Sequence, residues 1–276
     1  MKTILVITDH TPEAEHAAAF ALMIAQMVGA DILIADTIKV KQLNKDQPVL
    51  AGQANGQAEE SALNAKEQLE SIVNPDGAYI PAIREIDISD YETIELALLI
   101  NTNNIWLLVE GMPDTLPKSA VNLKLNIQSV LNRVGCPLLL IPKSWELKSP
   151  ERIVYIADLR YCRVQVLKYL ATLAAPFDAG ISIAHLSAKD MVHIVDSYAE
   201  LIFRDEIMPH AHYDKITLNN IRERDLHVAL DVLINGMHND LLVLVNHRYH
   251  FEEIIGRRIG DALPAEITVP VLIFPL

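Results

Sequence analysis

Two stretches of this chain set the terms for its fold. Residues 105–142 read as an apolar strand (Ile105-Trp106-Leu107-Leu108-Val109), a loop opening at Gly111, a helix, and a second strand (Leu138-Leu139-Leu140-Ile141) closed by Pro142. Residues 241–275 repeat the pattern: Leu241-Leu242-Val243-Leu244-Val245, a polar loop, a helix, then Val271-Leu272-Ile273-Phe274 before Pro275. Short apolar runs bounded by turn residues, with a helix between them, describe βαβ units whose parallel strands are buried on both faces. Such a unit closes each half of the chain, so an internal duplication is the first expectation.

What precedes each closing unit supports this. Ile4-Leu5-Val6-Ile7 is a β-rich run ending at Thr8-Asp9. Thr11-Pro12-Glu13 then gives a capping hydroxyl, a proline at the first helical position and an acid in the first turn. The helix stops at Gly29, and residues 32–35 read as a second buried strand. Residues 40–56 form a polar insertion, and a helix follows over 58–72. Residues 79–86 make a third strand, with Pro81 marking an edge or a start because proline donates no ladder hydrogen bond. Ser89-Asp90-Tyr91-Glu92 offers a capping box before a helix over 93–100.

In the second half, Arg152-Ile153-Val154-Tyr155-Ile156-Ala157-Asp158 repeats the pattern of basic residue, apolar strand and terminal aspartate. Helices are expected over 163–175, 189–204 and 221–237, with strands over 180–186 and 213–218. The alternation predicts an α/β fold: two tandem Rossmann-like (HUP-type) domains over 1–143 and 151–276. Each holds a five-stranded parallel sheet with helices on both faces, and residues 145–150 link them. Antiparallel pairing of residues 138–141 with 271–274 would join the domains in an intramolecular pseudo-dimer and hide two apolar edges. A homodimer remains possible on the same grounds.

Composition excludes several classes. The net charge of −13 opposes a nucleic-acid surface, which needs concentrated Lys and Arg. Cys136 and Cys162 are the only cysteines, too few for a disulfide scaffold or a Cys-based zinc site. Cys136 reads as a small buried hydrophobe. Cys162, near a helix start, reads as packing, with a stabilised thiolate as the alternative. The first residues read as a strand and not a signal peptide, and no apolar run suffices to span a bilayer. A cytoplasmic protein is expected, without membrane or nucleic-acid partners. Gly-x4-Gly-Lys-Ser/Thr, Gly-x-Gly-x2-Gly and Gly-x-Ser-x-Gly motifs are all absent from the sequence, against P-loop, dinucleotide and serine-hydrolase chemistry.

The strands ending in Asp9 and Asp158, the fourth strand with its loop, and the closing Cys136-Pro137 and Val269-Pro270 strands resemble the universal stress protein (UspA-like) family as a tandem pair. That resemblance implies a loop of the form Gly-x2-Gly-x9-Gly-Ser/Thr after the fourth strand in members that bind ATP. Glycines let backbone approach phosphate, and N–H groups at a helix start favour anions. Counted from Gly111, the positions fall on Asp114, Lys124 and Leu125. Counted from His247, they fall on His250, Gly260 and Asp261. Each loop keeps one position of four, so an ATP site of the family kind is expected to be lost or altered in both.

The second loop is basic, with Arg248, Arg257 and Arg258 joining His247 and His250, and side chains of this kind bind phosphate or another anion. The resemblance places the aspartate matching Asp9 and Asp158 at the adenine end of a nucleotide. The competing role is a helix cap. His210-x-His212, on an expected extended segment, has a spacing metals use, but no third ligand can be placed and no metal is assigned. The leading expectation is therefore a non-enzymatic stress-response protein that binds an unknown protein partner or small ligand, with no cofactor. The alternative is an ATP- or other nucleotide-binding protein. Its phosphate site would be rebuilt from Asp158, Gly260 and the three arginines.

Overall fold

The computed structural model describes residues 1–38, 65–113, 125–188, 191–223, 225–260 and 263–276. The polar insertion over 40–56, the first residues of the expected 58–72 helix, and Asp114, Lys124 and Asp261 lie outside the described residues.

The first half runs β1 (Lys2–Thr8), α1 (Pro12–Val28), β2 (Ala30–Asp36), α2 (Ala65–Ile72), β3 (Ile83–Asp87), α3 (Thr93–Thr102), β4 (Leu107–Met112), α4 (Ile127–Leu131) and β5 (Leu138–Pro142). The second half runs β6 (Arg152–Ala157), α5 (Val164–Ala174), β7 (Gly180–His185), α6 (Asp196–Ile202), α7 (Met208–Ala211), β8 (Ile216–Asn220), α8 (Leu226–Asp231), β9 (Leu241–Val245), α9 (Tyr249–Ile254) and β10 (Val271–Phe274).

All ten strands form one sheet, in the order β3-β2-β1-β4-β5-β10-β9-β6-β7-β8. Within each half every pairing is parallel. The two five-strand sets meet at β5 and β10, which pair antiparallel with Leu272 opposite Leu139. Leu138, Leu140, Val271, Leu272 and Ile273 are all fully buried there. Successive strand residues face opposite sides, so each strand feeds two cores. Ile4, Val6, Ile153 and Tyr155 pack with α1, α2, α5 and α6 on one face. Leu5, Ile7, Val154 and Ile156 pack with α3, α4, α8 and α9 on the other.

Local signals explain most boundaries. Thr11 Oγ1 accepts from the Ala14 N–H at 3.4 Å, Pro12 opens α1, and Gly29 closes it with φ +66°. β3 is an outer strand that starts after Pro81, as a residue without a ladder donor requires. Before it, Asp31 Oδ1 accepts from Tyr79 Oη at 2.7 Å and from the Ala82 N–H at 3.0 Å. The capping box of α3 pairs Glu92 with Glu95, not Ser89 with Glu92; the Glu95 carboxylate accepts from the Glu92 N–H at 2.8 Å. Where the linker enters the second half, Asp240 Oδ2 accepts from the N–H groups of Glu151 and Arg152, each at 3.0 Å, and Asp240 Oδ1 lies 2.6 Å from Lys148 Nζ.

Several expectations shift. The helix expected over 189–204 starts at Asp196 and continues, through a π-turn over Phe203–Ile207, to Ala211. The helix expected from Ile221 starts at Leu226, where Asp225 Oδ1 accepts from the His227 N–H at 3.0 Å; an N-cap acid outweighs apolar periodicity in placing a helix start. His210 lies in α7, and His212 is its left-handed C-cap, φ +52°. The expected extended His-x-His pair is therefore not formed.

Candidate functional site

Open α/β sheets bind ligands outside the carboxyl ends of their strands, where the strand order reverses. Here that happens twice, between β1 and β4 and between β6 and β9.

At the first reversal, Asp9 builds a turn. Its Oδ1 accepts from the Thr11 N–H at 3.1 Å and from Thr11 Oγ1 at 2.6 Å, which orients the residue capping α1. Gly111 does not open the loop but lies inside β4, opposite Ile141. A Cβ there would stand 2.2 Å from the Glu13 carbonyl oxygen. A glycine lets the first turn of α1 seat against β4, which accounts for the residue without a phosphate. Beside this end, His10 Nε2 lies 3.1 Å from Asp36 Oδ1. Burial, then a hydrogen bond with Glu85 and the nearby charges of Glu85 and Asp87, push the Asp36 carboxyl up to about 7.

At the second reversal, Asp158 is 4 % exposed and fully engaged. Its Oδ1 accepts from the Arg160 N–H at 3.1 Å and Nε at 2.8 Å, and its Oδ2 from Arg160 Nη2 at 2.5 Å and the Ala188 N–H at 3.0 Å. Burial works against the charged form, but the Arg160 and backbone hydrogen bonds prevail and hold the carboxyl below the usual range. Arg160 also donates from Nη1 to the Val192 carbonyl at 3.2 Å. Asp158 caps the short turn Leu159–Tyr161 and is locked in place.

Around it, the structure gathers some of the expected residues and scatters others. Asp158, Arg248 and His250 line one small cavity with Tyr155, Tyr161, Arg163 and Phe251, about 30 Å³ in volume. His250 is turned inward, with Nε2 3.0 Å from the Leu186 carbonyl oxygen. His247, φ +53°, points elsewhere: its Nε2 lies 3.0 Å from Oδ1 of Asn132, the C-cap of α4. Arg257, Arg258 and Gly260 are exposed and line no part of the cavity.

Sequence reasoning missed four participants. Arg160, two residues past Asp158, is the cation that claims it. His185, fully buried at the end of β7, accepts at Nδ1 from the Leu159 N–H at 3.2 Å, and burial lowers its pKa. Asn132 Oδ1 accepts from Asn246 Nδ2 at 2.8 Å and Gln128 Nε2 at 3.2 Å, tying the first half to the loop after β9. Asp36 was the fourth, and its signal was available: β2 and β3 both end in aspartate, in register. Cys162 shows no stabilised thiolate, since burial pushes it up to about 12; Cys136 behaves alike.

A wider groove of about 390 Å³ opens at the opposite, amino edge of the sheet, lined by Lys2, Ile105, Trp106, Cys136 and Tyr169 among others. Trp106 stacks on Tyr169 with ring centres 4.7 Å apart. No described helix is long and apolar enough to cross a membrane. Among the described residues no group of three or more His, Cys, Asp or Glu side chains is placed to hold a metal ion.

The model of the universal stress protein family matches residues 1–142, more than half of the 276-residue chain. The chain belongs to the universal stress protein family. No curated protein matches it. Among solved structures, a universal stress protein from Archaeoglobus fulgidus DSM 4304 is similar at 13% identity and a TM-score of 0.55, covering 99% of this chain and 97% of its own. A functionally unknown protein from Pseudomonas aeruginosa PAO1 is similar at 12% identity and a TM-score of 0.52, with 99% and 92% covered. At such identities the likeness is one of fold. It extends over both halves of this universal stress protein.

Proposed function

We propose that this universal stress protein is a non-enzymatic, cytoplasmic binding module of the stress response that neither holds nor hydrolyses ATP in the family manner. The observation that carries this reading is the size of the space at the second reversal. A cavity of about 30 Å³ compares with roughly 300–1,000 Å³ for small-molecule pockets. Phe251, fully buried, forms part of its wall.

Two further observations support it. Both oxygens of Asp158 are occupied by Arg160 and Ala188, and releasing them would leave a buried charge unpaired. His250, at the second glycine position of the loop pattern, faces inward to Leu186. The amino-edge groove of about 390 Å³ offers a small ligand more room than the cavity at the second reversal.

The test is native mass spectrometry of the full chain with millimolar ATP and magnesium, together with a phosphate-release assay. Unchanged mass and no released phosphate are expected. A nucleotide adduct that disappears in Arg248→Ala would overturn the reading in favour of a rebuilt phosphate site.

A further inference from the structure

The small cavity between β6 and β9 keeps polar groups that the surrounding protein does not satisfy. Arg248 lines it, and its Nε is buried without a hydrogen-bond partner. His250 lines it too, only 5 % exposed. With Nε2 3.0 Å from the Leu186 carbonyl oxygen, Nε2 carries the hydrogen and Nδ1 faces away from it. That Nδ1 is buried with no hydrogen bond, and the nearest carboxylate oxygen, on Glu253, is 3.8 Å off. Tyr155, 1 % exposed, lines it as well. Among the described lining residues Asp158 is the only carboxylate, and Arg160 neutralises it.

Buried donors without acceptors are costly, and a cavity walled by arginine and tyrosine donors calls for a negative guest. The volume of about 30 Å³ suits a guest of a few water-sized atoms at most, and a compact ion better than phosphate or sulfate. We propose that this cavity binds a single small monoanion of chloride size, taken up together with a proton on His250. Arg248 Nε–H and Tyr155 O–H donate to the ion. The neutral His250 ring turns a lone pair on Nδ1 towards the cavity and repels an anion. The protonated ring turns an N–H there and becomes the third donor. Anion and proton therefore favour each other by the same factor.

The charged and titratable groups facing His250 set the balance. On its own element these are Glu253, 3.8 Å away, and Arg248; from the end of β6, Tyr155 and Asp158 with Arg160, and Tyr161 just beyond; after β7, the Leu186 carbonyl; and from the start of α5, Arg163. Burial keeps the ring below the ordinary histidine range, against the pull of Leu186, Glu253 and Asp158. An anion adds to that pull, so its affinity should rise by up to about tenfold per pH unit below neutrality.

This inference rests on the closed pocket of the proposed function, but the two fail separately. An ATP adduct would overturn closure, whereas the anion is tested by histidine titration. The ring nitrogens of the full chain would be titrated by NMR in sodium chloride and in sodium gluconate at equal ionic strength, with His250→Gln giving the assignment. The expected result is a His250 pKa raised by about half a unit or more in chloride, with the exposed His210 and His212 unmoved. Arg248→Gln, if folded, should abolish the difference. Crystals of the wild type soaked in bromide give a check that needs no variant, an anomalous peak between Arg248 and His250. A His250 pKa identical in both salts, or a cavity holding water only, would overturn the proposal.

Discussion

The two strand-order reversals have the same topology and opposite chemistry. At the first, an aspartate organises a helix cap through Thr11, and a glycine in β4 lets α1 press close. The charge beside it is an acidic group, Asp36 with Glu85 and Asp87, under one histidine. At the second, the equivalent aspartate is clamped by an arginine, and around it stand buried histidines, held towards their neutral form, and further arginines. One strand arrangement thus tolerates two ways of neutralising the same edge. What differs is which protonation state each half prefers.

The largest effect should come from breaking the clamp. Arg160→Met leaves Asp158 buried and unpaired and is expected to cost about 3–5 kcal/mol of unfolding free energy, measured by urea denaturation. Gly111→Ala, which drives a methyl against the Glu13 carbonyl, is expected to cost about 3 kcal/mol. Gly135→Ala, where a Cβ meets nothing within 4 Å, should stay within about 0.5 kcal/mol.

The pH response sharpens the contrast. The folded Asp36 carboxyl titrates above its unfolded value, near 7, so stability falls as pH rises from about 4 to 7. His185 and His250 titrate below their unfolded value. They take nothing from stability above about pH 6.5 but do so as pH falls through it, until the folded values are passed. Melting temperature across this range should show both limbs. Asp36→Asn should flatten the upper limb, a gain on the order of 2 kcal/mol at pH 8, and leave the acid limb in place. The smallest effect tests the tie between halves: Asn132→Ala should cost about 1–2 kcal/mol, and Arg257→Ala and Arg258→Ala within about 0.5.

The strands and the first helix were legible because their signals are local. An apolar run between polar residues, or Thr11-Pro12 ahead of an alanine-rich stretch, acts within a few positions of itself. The role of Gly111 was not legible, because it depends on a carbonyl of Glu13 about a hundred residues away. A sequence count places a glycine in a loop pattern as readily as in a strand. The loop arginines were read as one group because they are neighbours in sequence. Folding separates them: Arg248 goes to the cavity, while Arg257 and Arg258 stay in solvent. His185 and Arg160 went unremarked since an imidazole ending a strand or an arginine in a turn carries no signal until Asp158 is placed beside it.

The seam between β5 and β10 bears on how the chain is made. Leu139 finds its partner in Leu272, 133 positions later (272 − 139). At about 5–20 residues per second of synthesis, the wait is on the order of ten seconds. Throughout it the apolar edge of β5 lacks its β10 partner. Neighbouring nascent chains on one message would present the same bare edge, and a β10 arriving from one chain can close on the β5 of another. Ribosome spacing on the message, as much as the finished contacts, then sets how often a swapped pair emerges in place of a single closed sheet.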